Sequence, residues 1–337
     1  MLTQTLVACA VFVCTLTVAF VISRTASRVG LVDVPNERSS HSRPTPRGGG
    51  LGIFIALTLG VWFSAPSLLT APFLPSILLA GGAVAAIGLW DDVRSVSAPL
   101  RLLIHVLSGI LLISAFPNHV AIQILDGFSL GGMCAAMLSC LGVVCCINVF
   151  NFMDGIDGLA AMEAVFVAGG GGLLILGNHA HSPVSTVCVL ISAASGGFLV
   201  VNWPPARIFM GDVGSGFLGF AIASVALWAT VDHLLPIWTW LILSGIFTVD
   251  AAVTFIRRWI RGDRVASAHR MHAYQRLARQ WSNHGRVTLV AALINCVWLF
   301  PLAALSTLHS EWSPLISIVA LVPIGIAVWV FGAGLPD

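Results

Sequence analysis

The sequence predicts an all-α, polytopic integral membrane protein with about 11 transmembrane helices, and three observations predict it. Of the 337 residues, 58% are hydrophobic and 9% charged, where a soluble domain carries about 25% charged residues. Apolar runs long enough to cross roughly 30 Å of hydrocarbon as helices recur along the whole chain. Lysine is absent, and the 16 arginines fall only between alternate runs.

The first run, 3–23, has no basic residue before it and no small-residue cleavage site, so it reads as a retained anchor rather than a leader. The loop after it, near 24–48, holds Arg24, Arg28, Arg38, Arg43 and Arg47. Its Pro44 and Pro46 stiffen the chain, and Gly48 to Gly50 open the next run. Further runs follow at 49–64, 71–90, 98–116, 130–150, 159–177, 184–201, 213–231, 236–255, 287–306 and 314–334. Glycine or arginine blurs the ends of the second and fourth. Counted from the first run, the other odd loops hold Arg94 and Arg101, then none, then Arg207, then the eight from Arg257 to Arg286. The even loops hold no arginine. The positive-inside rule makes the odd loops cytoplasmic, with the N-terminus outside and the C-terminus inside. All eight cysteines lie within runs and lack metal-ligand spacing, so they read as packing residues. Residues 1–337 thus form a single transmembrane domain whose cytoplasmic loops lie near 24–48, 91–97, 151–158, 202–212 and 258–286, and function must reside there.

Four clusters in those loops carry chemistry. Asp91 and Asp92 close the third run; adjacent residues on a helix point about 100° apart, so the two acids do different jobs. Acid at a helix C-terminus also opposes the macrodipole, which argues against a merely solvated end. The fifth run ends in Asn148-Val-Phe-Asn151-Phe-Met-Asp154-Gly-Ile-Asp157-Gly. Its first three polar side chains fan along one face, and Gly155 and Gly158 let the chain turn to bring Asp157 round. Four oxygen-bearing side chains at the mouth of a span suit a hard cation or a polar ligand. Before the eighth run stands Asn202-Trp-Pro-Pro-Ala-Arg-Ile-Phe209-Met-Gly-Asp212. Asp212 there is either a helix N-cap or, with glycine on both sides and a phosphate at the helix N-terminus, the ligand of a bridging cation. The ninth loop offers arginines with His269, Arg270 and His272, a mixture suited to phosphate. Its Arg257 to Arg264 stretch reads as an anchor to anionic lipid.

In this order the motifs resemble the polyprenyl-phosphate N-acetylhexosamine-1-phosphate transferases, over residues 33 to about 279. The resemblance implies that Asp91, with Asp92 beside it, is catalytic. It implies that Asn151 and Asp212 bind Mg²⁺, with Mn²⁺ as a substitute, and that Phe209 and Asn202 line a uracil pocket. Asp157 completes the nucleotide site and Arg101 faces phosphate, while Asn148, Asp154, His269, Arg270 and His272 are expected to bind substrate. The implied partners are a UDP-N-acetylhexosamine, undecaprenyl phosphate and membrane lipid, with no nucleic acid; a homodimer is compatible with the sequence. The implied location is the bacterial inner membrane, with the active site on its cytoplasmic face. The ninth loop has His269-Arg270-Met-His272 where the peptidoglycan translocase has three consecutive histidines, which points to the subgroup that initiates O-antigen or capsule-type glycans. The rival reading is a transporter or flippase for an anionic solute or lipid, whose polar groups belong nearer the midplane.

Overall fold

The computed structural model describes residues 2–28, 30–35, 43–64, 74–116, 121–125, 127–179, 182–263 and 269–336; Arg38, His41 and Arg264 lie outside them. The fold is all-α. Its helices are α1 (Leu2–Thr25), α2 (Gly50–Ser64), α3 (Leu74–Val93), α4 (Ala98–Ser114), α5 (Gly132–Met153), α6 (Leu159–Asn178) and α7 (Pro183–Asn202). They continue with α8 (Asp212–Val231), α9 (Ile237–Leu243), α10 (Gly245–Ile260), α11 (Ala273–Trp281), α12 (His284–Ile294), α13 (Phe300–Leu308) and α14 (Ser313–Val330). Two short antiparallel pairs accompany them: β1 (Val32–Asp33) with β2 (Thr45–Pro46), and β3 (Ile122–Leu125) with β4 (Phe128–Leu130).

Among the described residues, eight helices are long and apolar enough to cross a membrane, or nine if α9 and α10 are one bent span. α2 and α4, on the two runs with blurred ends, are shorter apolar helices. Each of the eleven runs is therefore helical, but length and apolarity alone mark eight or nine as crossings. The ninth run is not one straight helix: it breaks at Ser244 and turns by 82°. A serine–glycine step is a common place for such a kink. Ser244 Oγ donates back to the Trp240 carbonyl at 2.8 Å, and a Cβ at Gly245 would press on Leu321.

α8 is the axis of the fold, buried along almost its whole length and packed by α3 and α5. Small residues permit this. A Cβ at Gly219 would overlap the backbone of Cys146 on α5, and one at Gly88 on α3 would overlap the Asp212 carbonyl. Without aqueous solvent to drive helices together, such close backbone approach supplies the contact area that holds a membrane bundle. It also fixes the end of α3 against the start of α8, where the first and third polar clusters meet.

Candidate active site

Asp92, at the end of α3, is 2% exposed. Its carboxylate accepts the backbone N–H groups of Asp212 at 3.0 Å and Val213 at 3.1 Å, so it is the anion that the first turn of α8 requires. Arg47 donates to the Asp92 carbonyl. Asp92 is thereby turned away from solvent, with both carboxylate oxygens held by the amides that open α8. Asp91 points elsewhere, as the helical offset requires. Its Oδ1 accepts Val96 N–H at 2.6 Å and its Oδ2 lies 2.8 Å from Arg101 Nη1. The same Arg101 nitrogen lies 2.8 Å from Asp212 Oδ2. The side chains of Asp91, Asp212 and Arg101 are 18%, 31% and 31% exposed, so this triad, unlike Asp92, is open to a substrate.

The second cluster reaches the same place from α5. Asn151 Nδ2 donates to Ser215 Oγ at 3.1 Å, one turn after Asp212. Ser215 carries no signal as a site residue beyond the glycines around it. Asn148 instead donates to the Val144 carbonyl of its own helix at 2.7 Å. Burial, followed by the charges of Asp212, Asp92 and Asp157, holds the Asp154 carboxyl well above the usual carboxylate range. Asp157 Oδ2 accepts Ala206 N–H at 3.0 Å, and its Oδ1 lies 3.3 Å from His284 Nδ1. Asn202 is buried, and both ends of its amide are engaged: Oδ1 accepts Gly158 N–H and Nδ2 donates to the Ile208 carbonyl, each at 2.9 Å. Asp157 and Asn202 thus fasten the 151–158 and 202–212 loops to each other. Phe209 is half-buried, its N–H donating to the Pro46 carbonyl at 2.8 Å, so the stiff first loop lies against it.

In the ninth loop, His272 is buried, with Nδ1 3.1 Å from Asp250 Oδ1. Asp250 also accepts the N–H groups of Ala273 and Tyr274 and the Thr254 hydroxyl, each at 3.1 Å. The bend before α10 therefore makes Asp250 the N-terminal anion of α11. Tyr274 donates its hydroxyl to the Phe152 carbonyl at 2.8 Å, which ties α11 to the end of α5. His269 stacks on His272 at 5.1 Å; burial, with the charges of His272 and Arg258 behind it, pushes its pKa down to about 4. His269 is therefore neutral near pH 7. Arg270 stands between these histidines in sequence, and its carbonyl accepts from Arg279 at 3.2 Å.

Other ninth-loop arginines turn to the C-terminal segment. Arg257 Nη1 donates to the carbonyls of Trp329 and Ala333 at 3.1 and 2.9 Å, and its guanidinium lies 3.6 Å over the Trp329 ring. Arg261 reaches the Gly334 carbonyl at 2.9 Å and Arg276 the Leu335 carbonyl at 3.1 Å. For Arg257 and Arg261 the lipid-anchor reading gives way to a contact within the protein.

Among the described residues, no three His, Cys, Asp or Glu side chains form a metal-ligand group. The oxygens that converge near Asp212 come from Asp91 and Ser215, while Asn151 presents its Nδ2 to Ser215 and carries its amide oxygen on the same side chain. A hard cation that keeps several waters and binds substrate phosphates needs only one or two such ligands, so the residues present fit Mg²⁺.

The family model described as glycosyl transferase family 4 matches residues 74–230, which contain the Asp91, Asn151 and Asp212 motifs. A Bacillus subtilis (strain 168) protein named as a probable undecaprenyl-phosphate N-acetylglucosaminyl 1-phosphate transferase is 31% identical over 291 residues, covering 82% of this chain and 78% of its own. A decaprenyl-phosphate N-acetylglucosaminephosphotransferase of Mycobacterium tuberculosis is 28% identical over 333 residues, 90% of this chain and 82% of its own. An undecaprenyl-phosphate alpha-N-acetylglucosaminyl 1-phosphate transferase of Yersinia pestis is 27% identical over 300 residues, 84% of this chain and 80% of its own.

Proposed function

The chain belongs to the polyprenyl-phosphate N-acetylhexosamine-1-phosphate transferase family, and on that premise we propose that it transfers GlcNAc-1-phosphate from UDP-GlcNAc to undecaprenyl phosphate. The names of its relatives support the sugar and the class of lipid. The observation that carries the reading is the Asp91–Arg101–Asp212 triad, in which one guanidinium nitrogen is shared by carboxylates from the ends of two helices.

An oxygen of the lipid phosphate attacks the β-phosphorus of the donor. The bond from that phosphorus to the bridging oxygen breaks, and the oxygen leaves on UMP. Phosphoryl transfer of this kind depends chiefly on alignment and charge stabilisation. A phosphate monoester has a second pKa near about 6, so the nucleophile is largely ionised at neutral pH. Asp91 then serves to orient the acceptor and take any remaining proton. Arg101 and Arg270 neutralise phosphate oxygens, and Phe209 stacks on the uracil. Asp212 and Asn151 would hold Mg²⁺, or Mn²⁺ in its place. When bound, the ion withdraws charge from the diphosphate oxygens. A cavity of about 420 Å³ between α10, α11, α12 and α14 is lined by Leu277, Ile294, Trp298 and other apolar side chains and reaches Asp250 and Tyr274; we assign it to the isoprenoid chain.

The arginine distribution supports a site on the cytoplasmic face of the bacterial inner membrane, where a nucleotide sugar is available, and a place at the first step of a lipid-linked surface glycan. The test is UMP release by purified protein supplied with undecaprenyl phosphate, Mg²⁺ and a panel of UDP-HexNAc donors. UDP-GlcNAc is expected to be the best donor. No UMP with any donor, together with solute uptake by proteoliposomes, would turn the reading to transport.

A further inference from the structure

One buried acid takes no part in the chemistry above. Glu163 on α6 and Asn295 on the far side of α12 are both fully buried. Asn295 Nδ2 donates to Glu163 Oε2 at 2.6 Å. The other oxygen of each side chain, Glu163 Oε1 and Asn295 Oδ1, is buried with no hydrogen-bond partner. Two buried acceptors, carried by side chains already in contact, lack one donor between them. An ionised carboxylate is acceptor-only and leaves both unsatisfied, whereas a protonated one supplies the single O–H that the pair lacks. With the amide turned over, Asn295 Oδ1 would face Glu163 Oε2 at 2.6 Å, a contact of two acceptors that again requires a proton on the acid. Among the described residues, no arginine or histidine forms an ion pair with Glu163 that would stabilise a charge there.

The pair stands on a line that leads to the site. His284, Thr288 and Asn295 are spaced by four and seven residues, which places them on one face of a helix. Thr288 Oγ1 donates to the Asp157 carbonyl at 3.0 Å, and His284 Nδ1 lies 3.3 Å from Asp157 Oδ1. Asn295 opens a π-helical turn, Asn295–Leu299, where α12 departs from regular helix. Such turns recur at functional sites because they re-aim one side chain at the expense of one regular bond.

We infer that Glu163 is a positioning residue held as the neutral acid, joined to Asn295 by two hydrogen bonds that lock α6 to α12 and so fix Asp157 and the 151–158 loop. The role in positioning rests on the transferase reading; the charge state does not. Glutamine matches the neutral acid in its heavy atoms and offers an N–H in place of the O–H, with one further N–H to place. The experiment compares wild type, Glu163→Gln and Glu163→Leu in detergent by infrared spectroscopy, thermal unfolding and UMP release. The expected results are a protonated-carboxyl C=O band in wild type that shifts in D₂O and is lost in Glu163→Gln, with turnover of Glu163→Gln within about threefold of wild type. Glu163→Leu is expected to lose at least tenfold in turnover. Absence of a protonated-carboxyl band lost on Glu163→Gln would overturn the charge state, whatever reaction the protein performs. A Glu163→Gln variant as impaired as Glu163→Leu, or a Glu163→Leu variant as active as wild type, would overturn the positioning role. If Glu163→Leu does not accumulate, the infrared band and the Glu163→Gln turnover decide alone.

Discussion

Replacing Asp92 by alanine separates holding the site from performing its chemistry. The Asp92 carboxylate accepts two N–H groups from the first turn of α8, at 3.0 and 3.1 Å, in a position 2% exposed. A hydrogen bond to a charged group contributes about 1.5–3 kcal/mol, and an abandoned buried donor costs its desolvation. The two bonds share one carboxylate and are not additive, so Asp92→Ala should destabilise the protein by about 4 kcal/mol. For a chain of this size that lowers the melting midpoint by on the order of 5 °C. Asp92→Asn keeps an acceptor without the charge and should recover about half of the loss. Asp91→Ala is the control. It removes a partly exposed carboxylate from Arg101 and Val96, which changes stability by roughly 1 kcal/mol, yet it should abolish turnover. Thermal unfolding in detergent, run beside UMP release, reads both quantities. An Asp92→Ala protein that melts within about 1 °C of wild type but no longer turns over would refute the argument and return Asp92 to the chemistry.

Four further outcomes follow from the same contacts. Asp212→Asn should reduce UMP release by at least about 100-fold while the protein still folds, since its own N–H remains bound to Asp92. Gly211→Ala should destabilise by about 1–3 kcal/mol, because φ there is +75° and the new Cβ would press on the Asp92 carboxylate; thermal unfolding reads it. Arg257→Ala removes two carbonyl contacts and a stacked tryptophan, so limited proteolysis should cut beyond Val330 several-fold faster than in wild type. His269 sets a pH dependence: its pKa is about 4 when folded and 6.5 otherwise, so the unfolded chain binds more protons between those values. Stability is therefore full above pH 6.5 and declines as pH falls toward 4. Screening of the partly exposed ring limits the loss to on the order of 1 kcal/mol, and His269→Gln should flatten that part of the melting profile.

Much of this was legible because membrane proteins write their architecture in long apolar runs. Each of the eleven runs is helical, though the ninth is broken, and the two with blurred ends became the short ones, α2 and α4. That Asp91 and Asp92 face different partners also followed from helix geometry. Which of them faces inward did not, because that depends on where α8 approaches, and α8 begins 120 residues further along the chain. The break at Ser244 was hidden for a related reason. Serine and glycine occur in many straight membrane helices, and the close approach of Leu299 and Leu321 to Gly245 at the bend is made by residues distant in sequence. Until the bend is known, Asp250 reads as an acid inside a span with nothing to do. The arginines show the same limit: Arg257, Arg261 and Arg276 find carbonyl partners at Trp329 to Leu335, in a segment no local pattern connects to them.

The acids of this protein fall into two groups, and the division explains how a membrane bundle holds several carboxylates near one point. Asp92 and Asp250 are buried and spend their charge on the open N-terminal amides of α8 and α11, where the helix dipole favours an anion. Each therefore carries its own compensation. Asp212 is the first residue of α8 and Asp91 accepts the Val96 amide, and these two carboxylates share Arg101. A single guanidinium shared by two carboxylates leaves negative charge at the mouth of the bundle, and at Asp154 burial first, and then the charge of Asp212, holds the carboxyl above the usual range. The first group is satisfied and fixes the backbone; the second is short of positive charge and is open to water. An arriving cation with its phosphates would relieve that shortage without moving any helix, because the amides that set the positions of α8 and α11 are already bound. Raising the charge deficit should therefore strengthen cation binding as long as the triad stays folded. Arg101→Gln tests this: Mg²⁺ should raise its melting midpoint more than that of wild type, even though turnover falls. An equal or smaller Mg²⁺ effect in Arg101→Gln would mean that the deficit at Asp91 and Asp212 is not what the cation answers.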